Sequence, residues 1–122
     1  MATLLIVEDS EPIRFGLTEY FSARGYQVDA AAELAEARET LRNHEYDLVI
    51  TDLRLSDHVE GLDVISEVRE HHPLTRVILL TAYGSPAVEA AATHLGVNLF
   101  LQKPIRLVDL EQAAASLLAA AS

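Results

Sequence analysis

The chain has 122 residues, half of them hydrophobic, no cysteine, and a formal net charge of −10 from 19 acidic and 9 basic residues. That length suits one domain, 1–122, with a real core, and the absence of cysteine excludes a disulfide framework, a thiolate metal site and a cysteine nucleophile. The few basic residues are scattered, so direct binding to nucleic acid is excluded by charge: a phosphate backbone would be repelled.

The N-terminus, "MATLLIVEDSE", has too short an apolar run for a signal peptide and continues into acids. No segment approaches the roughly 18 apolar residues of a membrane helix. The expectation is a soluble, cytoplasmic protein with no membrane contact.

Two patterns alternate along the chain. The first apolar run is "TLLIVED" (3–9), nearly continuous, as in a parallel strand covered on both faces. A helical stripe follows through Ile13, Leu17, Tyr20 and Phe21, with Glu11 and Pro12 suited to a first turn and Gly25 just past the end. The second run, "YQVDAA" (26–31), is more polar and reads as a strand nearer an edge. Leu34, Ala37 and Leu41 form the next stripe, and "DLVITD" (47–52) is again a buried strand. Leu62, Ile65 and Val68 form a third stripe, stopped by Pro73, before the strand "RVILLTA" (76–82). Val88, Ala91, Ala92 and Leu95 form a fourth, ended by Gly96, before "VNLFLQK" (97–103). Leu107, Leu110, Ala114, Leu117 and Leu118 form the fifth, and the alanine-rich tail continues that helix. This is a strand–helix unit repeated five times, which implies an α/β doubly wound sandwich: a five-stranded parallel sheet with helices on both faces.

In such a sheet, ligands bind outside the carboxyl ends of the strands. Strand one ends in Glu8-Asp9, strand three in Asp52, strand four in Thr81-Ala82 and strand five in Lys103-Pro104. Carboxylates converging on one rim repel unless cations join them. Lys103 supplies one positive charge, and the remainder suits a hard divalent ion with oxygen ligands, best Mg²⁺. A metal, a lysine and a hydroxyl together stabilise a transferring phosphoryl group, which leaves Asp52 as a carboxylate nucleophile.

The motifs "VED" (7–9), "TDLRL" (51–55), "LLTAYGS" (79–85) and "LQKP" (101–104) resemble, in order and spacing, the receiver domain of bacterial two-component response regulators. The resemblance covers essentially the whole chain. It implies the flavodoxin-like (βα)5 fold with strand order 2-1-3-4-5, an order the residues alone do not yield. It implies that Asp52 takes phosphate from a sensor histidine kinase or a phosphotransfer protein. Asp9 would ligate Mg²⁺ directly, Glu8 mainly through water, and Arg54 through its backbone carbonyl. Lys103 would pair with the acceptor and then with the phosphoryl group, Thr81 would act as the switch hydroxyl, and Phe100 as the aromatic that rotates after it. The Lys103–Pro104 bond matches one often cis in the family. The output would be a repacked face of helix four, strand five and helix five, presented to a partner, an output domain or a second copy of the chain.

Two departures from the family pattern stand out. The loop after the acceptor has Ser56 where proline is usual, and its glycine, Gly61, comes one residue late, so "RLSDHVEG" carries an extra residue. Arg54 and Tyr83 occupy positions that tune dephosphorylation in the family, where a large cation could hinder water or stabilise charge.

Ordinary readings stand beside these. Asp52 could cap a turn, Glu8 and Asp9 could be solvated helix-start acids, Thr81 could be a strand residue, and Phe100 could be plain core. The five histidines read as surface or helix-end residues, and Asp57 and Glu60 as solvated. Two other functions compete with the switch. A phosphohydrolase with an aspartyl nucleophile would need an acid two residues on, and Arg54 cannot serve. An interaction module independent of phosphorylation would not need the acids, threonine and lysine at the rim.

Overall fold

A computed structural model describes residues 2–55, 58 and 60–120. Five strands, β1 (Thr3–Val7), β2 (Gln27–Ala31), β3 (Leu48–Thr51), β4 (Arg76–Thr81) and β5 (Leu99–Gln102), alternate with five helices. These are α1 (Glu11–Ala23), α2 (Leu34–Asn43), α3 (Gly61–His71), α4 (Pro86–Leu95) and α5 (Leu107–Ala120). All strand pairings are parallel and the order is β2-β1-β3-β4-β5, the flavodoxin-like arrangement. The polar strand β2 lies at one edge, as its Gln27 and Asp29 led us to expect.

Strand side chains alternate between faces with period two, and the core divides accordingly. Leu5, Val7, Val49, Val77 and Leu79 pack with Ala37 and Leu41 of α2, Val64, Ile65 and Val68 of α3, and Ala92 of α4. Leu4, Ile6, Leu48, Ile50, Ile78 and Leu80 pack with Leu17 and Phe21 of α1 and Leu110 and Ala114 of α5. Every residue of β3 is buried, which is why that run is continuously apolar.

Three stripes differ from their sequence reading. Ile13 and Leu107 are 44% and 37% exposed. Each lies in the first turn of a helix that starts at the carboxyl rim, beyond the sheet that would cover it, and both line an open apolar groove with Leu17, Leu80 and Leu110. In α3, Val64 is fully buried and Leu62 only partly so, because the buried stripe is wider than a strict i, i+3 pattern. Glu60, expected in solvent, is half-buried at the N-cap of α3.

Helix ends follow local chemistry. Pro12 and Pro86 stand in first turns, where a missing N–H is harmless. The Ser85 hydroxyl accepts from Val88 N at 3.2 Å and caps α4. Gly96 ends α4 at φ 101°, a left-handed conformation that glycine adopts without strain.

Candidate functional site

Strands β1, β3, β4 and β5 stop one or two residues earlier than their apolar runs, so Glu8, Asp9, Asp52 and Lys103 stand in the loops that follow, while Thr81 is the last residue of β4. Backbone hydrogen bonds still hold them in sheet order. Glu8 N donates to Ala31 O, Asp52 N to Val7 O and Lys103 N to Thr81 O, at 3.0, 3.0 and 2.9 Å. Since β1, β3, β4 and β5 are consecutive neighbours about 4.8 Å apart, Glu8, Asp52, Thr81 and Lys103 form one row across the rim.

Side chains close the row. Lys103 Nζ donates to Glu8 Oε1 at 2.9 Å and to Asp52 Oδ2 at 3.2 Å, reaching over β4 to do so. Asp52 Oδ1 accepts from Leu53 N at 2.7 Å, and Glu8 Oε2 accepts from Ser10 N at 3.0 Å. Asp9 is exposed beside them. One carboxylate oxygen from each of Glu8, Asp9 and Asp52 lies within 4.8 Å of the others. Two carboxylates thus share one ammonium with a third close by, and Lys103 offsets one charge of the three.

Burial sharpens the imbalance. The Glu8 side chain is 4% exposed, Asp52 11% and Lys103 20%. Burial pushes the Glu8 carboxyl above the ordinary carboxylate range, against the bonds from Lys103 and Ser10 N. For Lys103 burial works downward, but the bonds and charges of Glu8 and Asp52 outweigh it and hold the ammonium charged. A divalent cation with oxygen ligands fits this donor set, because it would relieve the charge that Lys103 leaves unbalanced. Glu8 is the most buried of the three acids.

The other site residues fall around this centre. Thr81 is fully buried, and its Oγ1 accepts from Tyr83 N at 3.0 Å. Phe100 is half-buried in β5 beside Leu79. A Cβ at Gly84 would stand 2.8 Å from Phe100 Cζ, so the β4–α4 loop rests on the ring. The Arg54 side chain is exposed, with its guanidinium 4.8 Å from the centroid of the Tyr83 ring. The Lys103–Pro104 bond is cis.

Backbone hydrogen bonds tie the described residues between Asp52 and α3. Leu55 and His58 exchange backbone hydrogen bonds at 2.8 and 3.0 Å. Gly61 N then donates to Leu53 O at 2.8 Å, and a Cβ on Gly61 would lie 2.1 Å from Asp52 O. Glycine is required there because the first turn of α3 sits directly on the acceptor's backbone. The expectations for Ser56 and Asp57 lie outside the described residues.

One residue of the site region escaped the sequence reading. Arg14 Nη1 donates to Glu8 O at 2.9 Å and approaches Asp9 O at 3.4 Å, tying the acidic loop to α1. Its only sequence signal was a basic residue within the first two turns of a helix whose N-terminus favours acids. His72, expected at a surface or helix end, does end α3, but its ring is 12% exposed and Nε2 lies 2.7 Å from Leu41 O. It belongs to the opposite end of the sheet and plays no part in the site.

Comparison with known proteins agrees with this geometry. The response regulator receiver domain family matches residues 4–115. The chain is 35% identical over 102 residues to the photosynthetic apparatus regulatory protein RegA of Cereibacter sphaeroides, covering 84% of this chain and 55% of that protein, so it spans little more than half of this relative. It superposes with TM-score 0.87 and 26% identity on a Burkholderia pseudomallei response regulator with a phosphorylated aspartic acid, a calcium ion and citrate, over 98% of this chain and 72% of that one. The beryllofluoride-activated NtrC4 receiver domain dimer matches over all of both chains at TM-score 0.90 and 26% identity. Among the described residues no helix is long and apolar enough to cross a membrane. With the family matching residues 4–115 and with this strand order, the chain belongs to the response regulator receiver domains of two-component systems, which are signalling domains rather than classical enzymes.

Proposed function

We propose that this domain, 1–122, is a switch in which Asp52 accepts a phosphoryl group from a phosphohistidine of a sensor kinase or phosphotransfer protein. The observation that carries the proposal is the sharing of Lys103 Nζ between Glu8 and Asp52 amid three close carboxylates. In the transfer, an Asp52 carboxylate oxygen bonds to phosphorus while the P–N bond breaks and its electron pair returns to the imidazole. Glu8, Asp9, Asp52 and the carbonyl of Arg54 would hold Mg²⁺, which when bound neutralises charge on the phosphoryl oxygens. Lys103 pairs with Asp52 before transfer and with a phosphoryl oxygen after it. The Thr81 hydroxyl, which accepts from Tyr83 N, can still donate its own proton to another phosphoryl oxygen.

Movement of Thr81 would carry Tyr83 and the β4–α4 loop with it. That loop rests on Phe100, so the ring must follow, and the face of α4, β5 and α5 repacks. A second copy of the chain or an output partner would read that face; the NtrC4 receiver domain, 26% identical, is a dimer when activated with beryllofluoride. The test is incubation with Mg²⁺ and a small phosphodonor, followed by intact-mass measurement. One phosphate should appear on the wild type and none on Asp52→Asn. Failure of the wild type to gain phosphate would instead favour an interaction module independent of phosphorylation.

A further inference from the structure

His72 stands at the C-cap of α3, at the end of the sheet opposite the acidic rim, and its side chain is only 12% exposed. Its two ring nitrogens have different surroundings. Nε2 lies 2.7 Å from Leu41 O. A carbonyl only accepts, so Nε2 carries the ring proton and donates it. In the neutral ring Nδ1 is then a bare acceptor. It is buried, and no hydrogen bond reaches it. A buried lone pair left in that state is costly and calls for a partner.

The Glu45 carboxylate faces it. Oε1 lies 3.8 Å from Nδ1, on a side chain that is 91% exposed and free to adjust. That separation is too long for a hydrogen bond, and a carboxylate has no proton to give to a bare nitrogen. A metal ion satisfies both groups at once. Bonds from Zn²⁺ to imidazole and carboxylate are about 2.0–2.2 Å, so one ion can touch both atoms, and closure by about half an ångström gives a tetrahedral angle. The bond from Nε2 to a backbone carbonyl is the arrangement that fixes the tautomer of a ligating histidine and raises its basicity. A cavity of about 310 Å³ adjoins the pair, with room for the waters that would complete the coordination. Asp47 lines the same cavity, and its Oδ2 accepts from Thr3 N and Oγ1 at 2.9 and 3.1 Å. It adds negative charge to attract a cation.

We propose that His72 Nδ1 and Glu45 form a site for a borderline divalent ion such as Zn²⁺, pinning the α2–β3 loop to the end of α3. One imidazole and one carboxylate suit Zn²⁺ or Ni²⁺, whereas the all-oxygen rim at the other end of the sheet suits Mg²⁺. The adjacent His71–Glu67 pair, 3.4 Å apart, provides the comparison. His71 is 56% exposed, and Glu67 already answers Arg38 at 3.1 Å, so that pair lacks both the buried lone pair and the free carboxylate.

The experiment titrates Zn²⁺ into the whole ¹⁵N-labelled chain in excess Mg²⁺, following each histidine ring by NMR and the melting temperature in parallel. His72 Nδ1 should shift while Nε2 keeps its proton, the other histidines should stay in place, and the melting temperature should rise. His72→Gln, whose amide can still donate to Leu41 O, and Glu45→Gln should each weaken the response about tenfold or more, and Glu67→Gln should leave it unchanged. Glu45 is exposed, so Glu45→Gln keeps the test decisive even where His72→Gln fails to fold. The site is overturned if millimolar Zn²⁺ leaves His72 Nδ1 unmoved, if the shift centres on His71, or if Glu45→Gln responds like wild type. It is equally overturned if Nδ1 answers only to added protons, which would make His72 and Glu45 an ion pair and no more.

Discussion

At the amino end of the sheet, polar groups answer one another. Thr75 Oγ1 donates to Tyr46 O at 2.7 Å, the Tyr46 hydroxyl donates to Asp29 Oδ2 at 2.5 Å, and Asp47 Oδ2 accepts from Thr3 N at 2.9 Å. Arg69 gives its guanidinium to Gly96 O, Thr75 O and Asn98 Oδ1 at 2.9, 2.6 and 2.7 Å, joining α3 to the segments that precede β4 and β5. At the carboxyl end, three carboxylates lie close together, and two of them, Glu8 and Asp52, share one ammonium. Both ends bury polar groups, yet at one most are met by hydrogen bonds within the chain, with His72 Nδ1 and Arg76 Nε left buried without one, and the other retains surplus negative charge. Surplus charge is what an external cation and a phosphoryl group can use, so the difference separates a structural end from a chemical one.

Substitutions can break that contrast. The largest effect on stability is expected at the closed end: Arg69→Ala strips donors from three acceptors and should cost about 2–3 kcal/mol, read as a lower urea midpoint with or without Mg²⁺. At the open end the signature reverses. Asp9→Asn should leave the metal-free melting temperature unchanged or higher, since it removes a like charge. It should weaken Mg²⁺ binding about tenfold and so reduce the stabilisation that Mg²⁺ confers. A Mg²⁺ titration by melting temperature in which Asp9→Asn matched wild type would erase the distinction.

A smaller effect is expected at Tyr46. Burial, then the bond to and charge of Asp29, push its phenol above the ordinary tyrosine value of 10.0. Tyr46→Phe should therefore cost about 1 kcal/mol at neutral pH. With the folded value raised, that contribution is complete below pH 10 and is lost as the pH climbs through the folded value. Urea midpoints of the two proteins should converge as the pH is raised above 10; a gap that stayed constant would show that the hydroxyl bond is not its source. The smallest effect is at Arg14. Arg14→Ala loosens the Glu8–Asp9 loop and should weaken Mg²⁺ about two- to threefold, the worth of one net hydrogen bond. Tighter binding would mean that its positive charge, not its grip on the carbonyls, governs the site.

Much of this was legible beforehand, for identifiable reasons. Asp52 and Thr81 announced themselves because each follows a run of strand residues, and the ligand rule of open sheets applies to any such end. Phe100 was visible as an aromatic in a strand, but its place beneath the β4–α4 loop depends on Gly84, which carries no signal of its own until the loop is folded. The extra residue before Gly61 was countable, whereas the Leu55–His58 exchange in the same loop was not. Ile13 fits an apolar stripe perfectly well and is nevertheless exposed, because periodicity reports the face of a helix and not how far the sheet extends beneath it.

Sequence by itself determined the five strand–helix units, the two-faced burial of the sheet and the set of residues arriving at its carboxyl rim. These are properties of single elements, governed by side-chain period and by the residues that start and stop them. Only the tertiary structure decided that Lys103 lies between Glu8 and Asp52, that Arg14 holds the acidic loop, and that Arg54 stacks on Tyr83. Those meetings join residues from different elements, and they depend on strand order and crossover geometry, which no pattern within one element encodes.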